Sequence, residues 1–115
     1  MEVRFCERVN GNALFSLNQY NENEIVLTFT GEIKETPCRY SIEIGENKHI
    51  LDPYGIYINH SFEPNCKIQN GKLVSIKKIY IGDELHFNYN ENETNMAAPF
   101  KIGDIDICGK NGIEK

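Results

Sequence analysis

Hydrophobic and polar residues alternate along this chain in short runs, and a period of two predicts strands rather than helices. Ile25–Thr30 is dense in β-branched and aromatic residues, and in Arg39–Ile44 the residues Tyr40, Ile42 and Ile44 fall on one side of an alternating run. Both segments are expected to be half-buried strands. Asn70-Gly71 separates Cys66–Gln69 from Lys72–Ser75, and Asn-Gly supplies the positive-φ pair of a type I′ turn, so a β-hairpin is expected. Ile81-Gly82-Asp83 turns the chain into Glu84–Tyr89, a predicted strand whose Leu85, Phe87 and Tyr89 share the core-facing side. Apolar residues nowhere recur at i, i+3, i+4 and i+7 over a long run, so any helix is short. The pattern gives a mainly β fold with short helices: one domain over residues 1–95, then a C-terminal tail, 96–115.

A chain of 115 residues buries about two-thirds of its unfolded surface, enough for one core without disulfides or metal. Its 17 acidic against 12 basic side chains give a formal charge of -5. Duplex nucleic acid requires clustered Lys or Arg, and the longest basic run here is Lys77-Lys78, so the charge argues against a duplex-binding protein, no direct nucleic-acid binding is expected, and a basic ligand is the better match. The four cysteines, Cys6, Cys38, Cys66 and Cys108, stand 28 to 42 residues apart with no CxxC pair, and no metal site is expected. Without a signal-peptide pattern or a long apolar stretch, the expectation is a soluble, intracellular protein with free thiols and no membrane association.

The densest chemistry lies in Tyr57–Asn65, a polar loop that reads Tyr-Ile-Asn-His-Ser-Phe-Glu-Pro-Asn. Asn, Ser and Pro are ordinary turn formers, so residue types alone describe a turn. A nucleophilic Ser61 would need a base and an oxyanion hole, and no GxSxG elbow is present, which discards hydrolase chemistry. The order of segments adds what composition does not. Gly11–Ser16, Phe29–Glu32, the loop Asn59–Asn65 and the segment Ile81–Tyr89, with a hairpin between the last two, resemble the SET-domain family of protein lysine methyltransferases over nearly the whole chain. The NHSxxPN and GDELxFxY patterns are the specific parts, and 95–100 followed by Cys108-Gly109 looks like the C-terminal extension of the short SET proteins.

The resemblance implies a SET-domain fold of small β-sheets in which the C-terminal segment passes under a preceding loop, a pseudoknot. It also implies that Asn59 and His60 hold S-adenosylmethionine, helped by main-chain groups of a loop formed by Gly11, Asn12, Ala13 and Leu14. Tyr89 would stand at the methyl-transfer centre, with Phe29, Tyr57 and Phe87 lining the pocket of the substrate lysine. Local chemistry agrees, because Asn59 carries both an amide donor and a carbonyl acceptor and Gly11 permits close backbone approach. The implied reaction needs an uncharged amine. With an ordinary lysine pKa near 10.4, only about one amine in a thousand is neutral at pH 7, and burial beside a sulfonium raises that fraction. Phe87 matches the position where the family has Phe or Tyr and which limits the number of methyl groups added; Phe leaves room for a methylated nitrogen to turn.

Departures from the family pattern are equally specific. Ala13 stands where a second glycine is usual, and Phe29 where a pocket tyrosine is frequent. Phe62 follows Asn-His-Ser where a zinc-binding cysteine would stand, and the tail keeps only Cys108, so a zinc cluster is not expected; Cys66 reads as a buried small hydrophobe. Only 26 residues separate Glu32 from Asn59, leaving a homodimer partner, the tail or the acidic surface to complete a groove for a lysine-containing basic peptide. Two functions compete: a protein-lysine methyltransferase, and a catalytically inactive SET-like module that binds cofactor or peptide.

Overall fold

The computed structural model describes residues 1–7, 11–38, 40–93, 100–102, 105–107 and 109. The segment 95–99, Cys108 and Arg39, all used in the sequence reading, lie outside the described residues. The architecture is a set of small sheets. Strands β1 (Glu2–Cys6) and β2 (Gly11–Phe15) form an antiparallel pair. Strands β3 (Ile25–Thr28), β8 (Cys66–Gln69) and β9 (Lys72–Ser75) form a sheet of order β3-β9-β8. Strands β4 (Glu32–Lys34), β5 (Ile42–Gly45) and β6 (Lys48–Leu51) form another, of order β4-β6-β5. The short strands β7 (Asn59–His60) and β10 (His86–Phe87) pair in parallel. Strands β11 (Phe100–Ile102) and β12 (Ile105–Ile107) make an antiparallel pair.

The β8–β9 hairpin has the expected turn, with Asn70 at φ 53° and Gly71 at φ 73°, both in the left-handed region that a type I′ turn demands. Its Leu73 is fully buried and joins Leu14, Ile58, Ile79, Leu85 and Phe87 in one core shared by the sheets. Cys66 belongs to the same core, the buried small hydrophobe expected from the sequence, and its burial pushes the thiol up to about 12.

Three local expectations are corrected. Gly11–Leu14 is not a loop, because every residue from Gly11 to Phe15 has a partner on β1 and the stretch is strand β2. The strand expected over Arg39–Ile44 begins only at Ile42: the Ser41 hydroxyl bonds both the N–H and the carbonyl of Cys38, making a turn that leaves Tyr40 exposed. The strand expected over Glu84–Tyr89 narrows to His86–Phe87, since the Asn88 side chain accepts the Asn90 N–H at 2.9 Å and caps a one-turn helix, α1 (Tyr89–Asn92).

A parallel pair needs a crossover, and here the crossover is what builds the site. Residues 82–87 thread between two earlier pieces of chain. On one side the Leu85 N–H donates to the Leu14 carbonyl at 2.8 Å and the Ser16 N–H to that of Asp83 at 2.9 Å. On the other, Asn65 donates to the Glu84 carbonyl at 2.8 Å and accepts the His86 N–H at 3.1 Å, while the Ser61 N–H reaches the Phe87 carbonyl at 3.1 Å. This passage of a late segment between two earlier ones is what the pseudoknot arrangement calls for. Two glycines permit close approaches elsewhere, where β4, β5 and the 3-10 turn Gly55–Tyr57 meet. Gly31 has φ 126° and a Cβ there would sit 2.1 Å from the Leu51 carbonyl oxygen, while a Cβ on Gly55 would meet Ile42 at 2.8 Å.

Candidate active site

Asn59 lies on β7 at the rim of this crossing. Its Nδ2 donates to the Asn12 carbonyl at 3.2 Å and to Glu84 Oε2 at 3.3 Å, joining strand β2, β7 and the threaded segment at one point. Among the described residues no donor reaches its Oδ1. The main chain of β2 is its neighbour, whereas the side chains of Ala13 and Leu14 are fully buried. The Ala13 methyl is buried on the face of β2 opposite to Leu14, which is the one that joins the core cluster.

His60 faces the opposite way, into the core beside Tyr89. Its Nδ1 accepts the Tyr89 N–H at 3.0 Å, and its ring meets Phe62 and Tyr89 edge-on at centroid distances of 4.5 and 5.2 Å. Burial, and then the neighbouring His86, lower its pKa to about 4. The ring is thus neutral, and with Nδ1 accepting, its proton sits on Nε2. That buried Nε2 has no hydrogen-bond partner among the described residues. A buried donor without an acceptor is uncommon in a folded protein, and a ligand acceptor would satisfy it.

The lowered His60 pKa has a consequence for stability. Between about pH 6.5 and about pH 4 the unfolded chain binds a proton at His60 that the folded chain refuses, so this contribution is present above pH 6.5 and is lost as pH falls toward 4. An NMR titration should find the His60 ring neutral down to about pH 4; a ring that protonates near 6.5 would contradict the buried, acceptor-only setting of Nδ1.

Tyr89 opens α1, and its hydroxyl donates to the Ile58 carbonyl at 2.5 Å, one residue before Asn59. Burial first, then the Glu93 and Glu84 carboxylates, push its pKa well above the usual phenol value, so the phenol stays protonated. Its ring lies 4.9 Å from Phe87 and 6.1 Å from Phe100. The return of β11–β12 to this region is tied down by Ile107, fully buried, and by the Gly109 N–H donating to Asn90 Oδ1 at 3.0 Å.

Of the residues named from the sequence, Asn12, Asn59, His60, Phe87 and Tyr89 converge around β7–β10, with Gly11, Ala13 and Leu14 on the neighbouring strand. Phe29 and Tyr57 stand one step away. Among the described residues neither makes a ring contact with Phe87 or Tyr89. Phe29 is buried against Gly55 at the start of a 3-10 turn, Gly55–Tyr57, which runs through Ile58 into β7. Asp52 organises this corner, accepting the backbone N–H groups of Thr30, Tyr54 and Gly55 at 2.8, 2.8 and 2.6 Å while itself 2% exposed. The sequence reading assigned no role to Asp52, Asn65, Glu84 or Glu93. The Asp-Pro turn pair, the last residue of the NHSxxPN loop and the glutamate of the GDELxFxY pattern are the available signals for the first three; Glu93 carries none, because its role depends on a contact with a distant strand.

Among the described residues no three His, Cys, Asp or Glu side chains gather as a metal site, and no helix is long and apolar enough to cross a membrane. The fold and this crossing define a known class. Residues 4–90 match the family described as SET domain, and the chain belongs to that family. It is 29% identical over 131 aligned positions to histone-lysine N-methyltransferase SETD1B of Homo sapiens, covering 94% of this chain and 7% of that protein. The Gallus gallus protein of the same name is likewise 29% identical, with 94% and 6% covered. The chain therefore spans less than a tenth of the length of these curated relatives. Among solved structures, a humanized mutant of the Chaetomium thermophilum Polycomb Repressive Complex 2 bound to the inhibitor GSK126 superposes with a TM-score of 0.56 at 22% identity, covering 86% of this chain and 17% of that one. That likeness is one of fold.

Proposed function

We propose that this protein transfers a methyl group from S-adenosylmethionine to the side-chain amine of a lysine in a basic protein segment. The observation that carries the reading is the meeting of Asn59, the Asn12 carbonyl and Glu84 with a protonated Tyr89 that is flanked by Phe87 and His60. Asn59 Oδ1, the Asn12 carbonyl and Glu84 suit a ligand ammonium, and the Nε2–H of His60 suits an acceptor. When bound, S-adenosylmethionine supplies an electrophilic methyl on a sulfonium. Tyr89 is not a base, since burial and two carboxylates keep its proton on. Its hydroxyl is anchored on Ile58, and the remaining oxygen lone pairs orient the reacting groups. Phe87 and the Tyr89 ring exclude water, which favours the neutral form of an entering lysine. The negative potential of Glu84 and Glu93 draws in cationic ligands, consistent with the net charge of -5.

The relatives named as histone-lysine N-methyltransferases make histone tails the first peptides to try. Calorimetry with S-adenosylmethionine and its demethylated product, followed by mass spectrometry of a panel of basic peptides, tests the proposal. No cofactor binding would remove it, and binding without transfer would leave a non-catalytic module. Asn59→Ala is expected to weaken cofactor binding by about 1–3 kcal/mol, the scale of a hydrogen bond to a charged group. Unchanged affinity in a folded variant would take Asn59 out of the site.

A further inference from the structure

We propose that Asn92 and Glu93 latch Tyr89 to the sheet β4-β6-β5, and that Glu93 is a positioning residue for methyl transfer. β5 is an edge strand of that sheet, and an open edge offers backbone groups that need partners. At Glu43 those partners are side chains from the end of α1. The Glu43 N–H donates to Glu93 Oε2 at 2.9 Å, and the Glu43 carbonyl accepts from Asn92 Nδ2 at 3.1 Å. The same Asn92 Nδ2 lies 2.5 Å from Glu93 Oε2, so the two side chains brace one another. Together they mimic one residue of a neighbouring strand.

Glu93 is 6% exposed, and a carboxylate withdrawn from water this far is costly unless its oxygens are bonded. Its place in the chain explains what the arrangement serves. The Glu93 N–H donates to the Tyr89 carbonyl at 2.8 Å, while the Tyr89 N–H is held by His60 at 3.0 Å. Tyr89 is therefore held at its N–H by His60 of β7 and at its carbonyl by the Glu93 N–H, and the side chain of that same Glu93 is bonded to the β5 edge. That sheet lies within the short stretch from Glu32 to Asn59. The latch sets the distance between that sheet and the Tyr89 hydroxyl.

This inference rests on the lysine-transfer reading, so its test includes a measurement that does not require activity. In the full chain, Glu93→Ala should speed hydrogen exchange of the Glu43 amide, shift the Tyr89 ring resonances, and lower kcat by about tenfold with the KM for S-adenosylmethionine changed less than about twofold. Glu93→Gln keeps an oxygen for the Glu43 N–H and should recover kcat to within about threefold of the parent. Unchanged exchange at Glu43, an unchanged kcat, or a glutamine variant as impaired as the alanine one would overturn the proposal. If Glu93→Ala does not fold, Asn92→Ala removes the donor to the Glu43 carbonyl together with the brace on Glu93 Oε2 and leaves the carboxylate in place, and an unaltered kcat there would count against the latch. If the parent protein methylates no peptide, the transfer reading falls by itself, and the Glu43 exchange and Tyr89 resonances still decide whether the latch exists.

Discussion

Tyr89→Phe is expected to lower turnover by about two orders of magnitude, the effect of removing a hydroxyl proposed to orient the reacting groups. The substitution keeps the ring and with it the contacts to Phe87 at 4.9 Å and His60 at 5.2 Å. It removes the hydroxyl whose donation to Ile58 anchors the oxygen, so the Ile58 carbonyl is left without that donor at a cost of about 1–3 kcal/mol in stability. Cofactor affinity should change little, because Asn59, the Asn12 carbonyl and Glu84 are untouched. Single-turnover rates at saturating cofactor, with a thermal melt and calorimetry on the same sample, separate the two effects. Full activity would leave the assignment of Tyr89 without support, and a rate loss that tracks unfolding would make the residue structural.

Phe87→Tyr should shift the product distribution toward monomethyl-lysine. Phe87 is 3% exposed and its ring is tilted 47° to that of Tyr89, so a hydroxyl added to it enters packed surroundings. Crowding a packed site typically costs about 1–3 kcal/mol, which converts to a ten- to hundredfold slowing of the later transfers. The first transfer, with the smallest amine, should be affected least. Phe87 also borders a cleft of about 170 Å³ bounded by Cys66, Ile68, Asn88 and Asn92, and a hydroxyl accommodated there would not reach the amine. Mass spectrometry of a methylated peptide distinguishes the two cases: an unchanged ratio of methylation states would mean that Phe87 is remote from the substrate nitrogen.

Local features were legible where their cause is local. Asn70-Gly71 specified its hairpin because only residues tolerant of positive φ can make a type I′ turn, and β3 followed from a β-branched run. Cys66 read as a buried hydrophobe and is one. The family resemblance carried by the NHSxxPN and GDELxFxY segments implied that Asn59 and Tyr89 stand close together, and the Tyr89 hydroxyl does bond Ile58, the residue before Asn59. The same local logic misread the end of the second segment. Alternation carried a strand through Tyr89, but Asn88 is a better helix cap than a strand residue, and the one-turn helix it starts turns the Tyr89 hydroxyl onto Ile58.

The sequence by itself determined the hairpin, the mainly β character and the residue types gathered at the crossing, since each follows from backbone preferences or from motifs read along a few neighbouring positions. Only the tertiary structure decided how these residues are used. The bond from Asn59 to Asn12 spans 47 residues, Tyr89 reaches Ile58 across 31, and Glu93 closes on Glu43 across 50. Contacts of that separation depend on how the sheets pack and on which late segment threads between which earlier ones. The Nε2 proton of His60, the protonated state of Tyr89 and the satisfied edge of β5 all depend on burial and on partners from distant strands. Desolvation and hydrogen bonding are properties of a three-dimensional environment, and they exist only once the chain has crossed itself.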